Sequence, residues 1–150
     1  MYINRIVLRD VRSISELDIE LRNQWTDAPL SSVLFTGING SGKTTILRAI
    51  AALWEAFGYW LEGKPLTKRL QNQVQNGILT ESNWLAIEIR EFPDLLVPPQ
   101  SLWLVISKSI HELDVFRLNI DYSSNLVIGE VHQQQKTEFY FASLRNNNNW

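Results

Sequence analysis

Eight consecutive residues have the types and spacing that chemistry needs: Gly37, Ile38, Asn39, Gly40, Ser41, Gly42, Lys43 and Thr44. They fit G-x-x-x-x-G-K-[ST], a loop whose backbone amides wrap phosphate groups. Glycines at 37, 40 and 42 can take positive φ and let the chain approach a ligand closely, so that successive N–H groups converge on phosphate oxygens. Lys43 is then the residue to reach β- and γ-phosphates, and is the candidate catalytic group. The Thr44 hydroxyl is a candidate Mg²⁺ ligand. Thr45, one residue deeper, is a candidate donor to an α-phosphate.

Such a loop needs a strand to aim it and a helix to follow it. Val33, Leu34 and Phe35 form a short apolar run that predicts a strand covered on both faces. Ile46, Leu47, Ile50, Leu53, Trp54 and Phe57 recur at helical spacing, which predicts an amphipathic helix starting inside the motif and stopping at Gly58. The helix's unpaired N–H groups and positive dipole end would add to the anion site.

The 150 residues, 45% apolar and 11% aromatic, suffice for one core of ordinary size. A net charge of -2 gives no global basic field for nucleic acid, although Arg5, Arg9, Arg12 and Arg22 cluster in sequence and could form a local patch or simply solvated strand faces. Cysteine is absent, which excludes disulfides, thiolate metal sites and a cysteine nucleophile. Arginines interrupt the apolar N-terminal run, so neither a signal peptide nor a membrane span is expected there. A soluble cytoplasmic protein is the expectation.

From the start of the chain, residues 2–9 predict a strand and residues 10–13 a turn. Residues 16–21 alternate strictly, with Leu17, Ile19 and Leu21 on one face, and predict an antiparallel partner for the first strand. After the loop and its helix, residues 58–77 read as a polar connector, with a short helix over 66–74 and a basic cluster at Lys64, Lys68 and Arg69. From Trp84 the period changes to two. Residues 84–90, 102–106, 116–120, 126–131 and 137–142 predict five strands joined by short turns, an antiparallel meander with Glu88 facing solvent.

The N-terminal strand M-Y-I-N-R-I-V-L-R, the second strand L-D-I-E-L and above all G-x-N-G-S-G-K-T-T-I-L-x-A-I together resemble one family. It is that of the ABC-type ATPase heads in the structural-maintenance-of-chromosomes, RecF and RecN group, with related AAA-labelled ATP-binding proteins, including those of bacterial anti-phage systems. The resemblance covers residues 1 to about 57 closely and the remainder in order of elements. It implies an α/β fold, the N-terminal Walker A lobe of a P-loop NTPase: a mixed core sheet with the Walker A helix, plus an antiparallel β-subdomain over 84–142. It implies ATP and Mg²⁺ as ligands, a second ATPase head as partner, and DNA or an associated effector as the object of the work. In the family the turn after the first strand approaches the nucleotide, which makes Arg12 a further candidate binding residue.

Other features of those heads are missing. The chain has no strand of four apolar residues ending in Asp-Glu, the nearest being W-L-A-I-E at 84–88, and no S-G-G signature. His111 and His132 lie within the expected meander. Gln133, Gln134 and Gln135 match the family's glutamine loop by composition alone and read more simply as a hairpin turn. F-Y-F-A-S-L-R at 139–145 resembles the strand leading into that loop, and the closing R-N-N-N-N-W reads as loop or disorder. The resemblance thus implies that the rest of the head lies outside this chain. Two other readings stay open. A self-contained phosphotransferase or GTPase needs an N-K-x-D motif, of which T-K-R-L at 67–70 is a poor version. A nucleotide-independent interaction module needs nothing further.

Overall fold

The computed structural model describes residues 1–62, 84–91, 101–120, 126–133 and 136–142. The expected connector at 58–77 beyond Glu62, with its short helix and basic cluster, lies outside these residues, as do Gln134, Gln135 and the 143–150 tail.

One six-stranded sheet carries the fold. Strands β1 (Tyr2–Val11) and β2 (Ile14–Glu20) form a tight antiparallel hairpin, with Leu8 opposite Leu17 and Ile6 opposite Ile19, as the alternation predicted. Strand β3 (Trp84–Arg90) adds antiparallel to β1, and β4 (Leu102–Ser107) antiparallel to β3. Strands β5 (Leu126–Gln133) and β6 (Lys136–Ala142) complete the order β2-β1-β3-β4-β5-β6.

Helix α1 (Lys43–Leu61) covers one face of this sheet. Its Ile46, Ala49, Leu53 and Phe57 pack with Ile6, Leu8, Leu85, Ile87 and Leu104. Gly58 does not end the helix. Tyr59 and Trp60 pack on the same core, Trp60 stacking on Phe57 at 5.9 Å, and this burial exceeds the roughly 1 kcal/mol that a helical glycine costs. Nor is α1 apolar on one face alone: Leu47, Ala51, Trp54, Gly58 and Leu61, spaced three and four apart, all lie on its exposed side.

The second helix corrects the expected meander. Residues 110–119 form α2 (Ile110–Asn119), so the predicted strand over 116–120 does not exist. Ser109 caps α2 by accepting a hydrogen bond from the Glu112 amide, and Leu113 and Phe116, three apart, face inward while Leu118 is 84% exposed. Phe116 meets Trp84 and Trp103 edge-on, at 5.0 and 5.3 Å, on the face opposite α1. Because a helix separates them, β4 and β5 pair in parallel, and β3 to β6 belong to the same mixed sheet as the hairpin rather than to a separate antiparallel unit. Helix α2 also explains why β3 is buried on both faces. Glu88, expected to face solvent, is 5% exposed and accepts from Asn4 Nδ2 at 2.6 Å and Arg90 Nε at 3.1 Å.

The predicted strand at Val33–Phe35 is likewise not a strand. After β2 the chain turns on Asn23, whose Oδ1 accepts from the Trp25 and Thr26 amides, and returns beside β2 only at Arg22 and Pro29. It then leaves the sheet. With no ladder partner among the described residues, Val33 and Leu34 are 42% and 85% exposed, and Phe35 alone reaches the core.

Candidate functional site

The loop from Gly37 to Gly42 sits directly on the N-terminus of α1. Gly37, Gly40 and Gly42 have φ of 146°, 84° and 88°, values that side-chain-bearing residues rarely adopt. At Gly42 the constraint is doubled, because a Cβ there would lie 2.8 Å from Ile14 Cδ1. At Gly40 a Cβ would meet nothing within 4 Å, so the loop's crest opens away from the protein.

Gly42 is the N-cap of α1, and no side chain accepts from the helix's first amides, nor does its first turn carry an acidic residue. Helix α2 closes its own N-terminus with Ser109 and Glu112. The end of α1 therefore keeps its donors and its partial positive charge for an external acceptor. Lys43 adds a full charge. Its Nζ donates to Gly37 O at 2.8 Å, Ile38 O at 2.7 Å and Ser41 Oγ at 3.1 Å, using all three ammonium protons on the loop itself. Thr44 is exposed beside it and Thr45 is buried. Ile38, Asn39 and Ser41 are exposed around the rim.

The hairpin tip supports this loop from below. Ile14 packs under Gly42, and Ser13 Oγ lies 3.5 Å from Gly40 O. Arg12 occupies the turn next to Ser13 with φ of 56°, and Asp10 has φ of 49°, both left-handed backbone that costs a non-glycine residue about 1 kcal/mol or more. The structure thus brings Gly37 to Thr45 and the turn bearing Arg12 together at one end of β1. Sequence reasoning missed Ile14, whose supporting role only the packing shows.

Other candidates are not brought here. Glu88, the closest approach to an Asp-Glu strand, lies on the sheet face opposite α1 and bonds there to Asn4 and Arg90. His111 is exposed in the first turn of α2. The arginine cluster is largely neutralised across strands: Arg5 holds Asp18 through Nε at 2.7 Å and Nη2 at 2.5 Å, Arg9 holds Glu16, and Arg22 holds Asp27 at 2.9 Å. The Asp18 hydrogen bonds keep the Arg5 guanidinium pKa above its usual value. Among the described residues no group of three or more His, Cys, Asp and Glu could hold a metal. No described helix is long and apolar enough to cross a membrane.

The family model described as AAA domain matches residues 5–84, more than half of the chain, from the hairpin through the loop and α1 to the start of β3. No curated protein and no solved structure matches the chain.

Proposed function

The chain belongs to the AAA domain family, whose members generally bind ATP with Mg²⁺, and on that premise we propose that it is the ATP-binding lobe of an ATPase of the SMC and RecF type. The observation that supports this reading best is the open N-terminus of α1, crowned by three positive-φ glycines and a lysine with no carboxylate partner among the described hydrogen bonds. The amides of Gly40 to Thr44 bind the phosphates, and Lys43 exchanges its loop acceptors for phosphate oxygens of the β- and γ-groups. Arg12, at the strained turn, flanks the nucleotide, and Thr45 donates to the α-phosphate. Thr44 is the protein's ligand to Mg²⁺, which when bound offsets the negative charge of the β- and γ-phosphates.

Lys43 is the group nearest to stabilise charge on a transferring phosphoryl, and an in-line attack on it also needs a residue to orient water. Glu88 is not placed for that role, so in our reading hydrolysis requires residues supplied by the remainder of the head. A second head docks on the nucleotide-bound face, and closure and release act on DNA or an effector. The exposed Val33 and Leu34 and the apolar outer side of α1 support a lobe that another polypeptide completes.

Calorimetric titration with MgATP tests the proposal. The wild-type chain binds, and Lys43→Ala weakens binding by about tenfold to a hundredfold, the range for losing a charge-assisted hydrogen bond. Equal affinity in the two proteins would overturn it.

A further inference from the structure

The outer side of α1 carries a pattern that the phosphate site does not use. Leu47, Ala51, Trp54, Gly58 and Leu61 follow one another at intervals of four, three, four and three. That alternation is the 3.5-residue period of a seam along which one helix lies on another. All five residues are exposed and none is charged. The stripe that holds α1 on the sheet, with Ile46, Ala49, Leu53 and Phe57, is a separate one. A seam of two heptads is too short to fold helices by itself, but α1 is already folded on the sheet, so association has only to join two formed surfaces.

Size alternates along this seam. Leu47, Trp54 and Leu61 are large and 56%, 42% and 57% exposed, while Ala51 and Gly58 between them are small. The Trp54 ring is held edge-on to Phe57 at 6.0 Å, and a Cβ at Gly58 would meet nothing within 4 Å. Two copies of α1 laid parallel would set large against large, Trp54 facing Trp54, and small against small. Laid antiparallel, they set Leu47 against Gly58 of the second copy and Ala51 against its Trp54, and the two-fold axis repeats both layers. The antiparallel arrangement also opposes the two helix dipoles.

Charge selects the same register. Arg48 of one copy then comes within about 3 Å, along the helix axis, of the level of Glu55 of the other. Arg48 is exposed and Glu55 partly exposed, and neither has an ion pair among the described residues. Within one chain they stand seven residues apart, about 10 Å along the helix, so only a second copy brings them together. Sliding the helices by one heptad would set Trp54 against Gly58 but would also set Glu55 against Glu55, which like charge disfavours. Five positions on one helix make a small contact, of the weak and reversible kind. We propose that the outer side of α1 pairs antiparallel with α1 of a second copy of this chain, Trp54 over Ala51 and Arg48 beside Glu55, in a dimer that needs no nucleotide.

The test is sedimentation equilibrium of the full chain without nucleotide, at low salt and up to about 1 mM. The wild-type chain dimerises with a Kd of roughly 0.01 to 1 mM. Arg48→Glu and Glu55→Arg each weaken dimerisation by about fivefold or more, because each sets like charges together at both contacts. An equal mixture of the two variants associates about as tightly as wild type, since one copy of each restores opposite charges at both contacts, and so does the chain carrying both substitutions. Ala51→Leu adds apolar surface yet weakens association by about tenfold, because it fills the place of the second copy's Trp54. A wild-type chain that stays monomeric at 1 mM overturns the proposal and leaves this face to a different polypeptide. A mixture no tighter than its components, or Ala51→Leu associating as well as wild type, overturns it too. If Ala51→Leu does not fold, the charge variants decide.

Discussion

Gly42 carries two demands at once. It must hold φ of 88° at the N-cap of α1, and it must leave room for Ile14, 2.8 Å from where a Cβ would stand. Gly42→Ala is therefore expected to lower stability by at least about 1 kcal/mol and to displace the loop from the hairpin tip. Gly58 is the internal control. It is helical, exposed, and a Cβ there meets nothing within 4 Å, so Gly58→Ala is expected to stabilise by about 0.5 to 1 kcal/mol. Thermal unfolding of the two variants checks the pair; a neutral Gly42→Ala would mean that the hairpin does not brace the loop. At this scale the sequence was informative where a residue's own backbone requirement decides its conformation, as for the three positive-φ glycines. It was misleading where neighbours decide, as for Glu88, which is buried and accepts from Arg90 and from Asn4, the latter delivered by a bulge.

Helix α2 shows how an element can be misread. Phe116, Leu118 and Ile120 alternate like a strand, but Leu118 is 84% exposed and the true inward set is Leu113 and Phe116. The signal that would have corrected this was present: Ser109-x-x-Glu112 is the start of a capping box, and Ser109 does cap the helix. Phe116→Ala removes the ring that joins Trp84 and Trp103, and is expected to cost about 3 to 5 kcal/mol, measured by denaturant unfolding. A loss below about 1 kcal/mol would show that α2 is not packed on β3 and β4. The hairpin was legible because β1 and β2 are neighbours in sequence and half-buried. Val33–Phe35 was not, because a buried strand's apolar run says nothing about which partners are at hand.

Across the described residues the chain is a sheet with a helix on each face, and one of those helices is apolar on both sides. Leu34, Leu47, Trp54 and Leu61 are exposed by 85%, 56%, 42% and 57%. Such surface predicts association of the chain with itself or with the remainder of a larger head. The double substitution Leu34→Ser with Trp54→Ser is expected to reduce association in sedimentation velocity while shifting Tm by no more than about 4 °C. Unchanged association, or a large loss of Tm, would mean that these residues do not form a docking surface.

The central claim is that amides at the start of α1, with Lys43, hold a nucleotide's phosphates, and the most direct measurement is where MgATP acts on the chain. Backbone amide resonances of residues 37–45 should shift saturably on titration, and in Lys43→Ala the same shifts should require at least about tenfold more ligand. Shifts that leave residues 37–45 unmoved while ATP saturates, or that are the same in both proteins, would contradict the account.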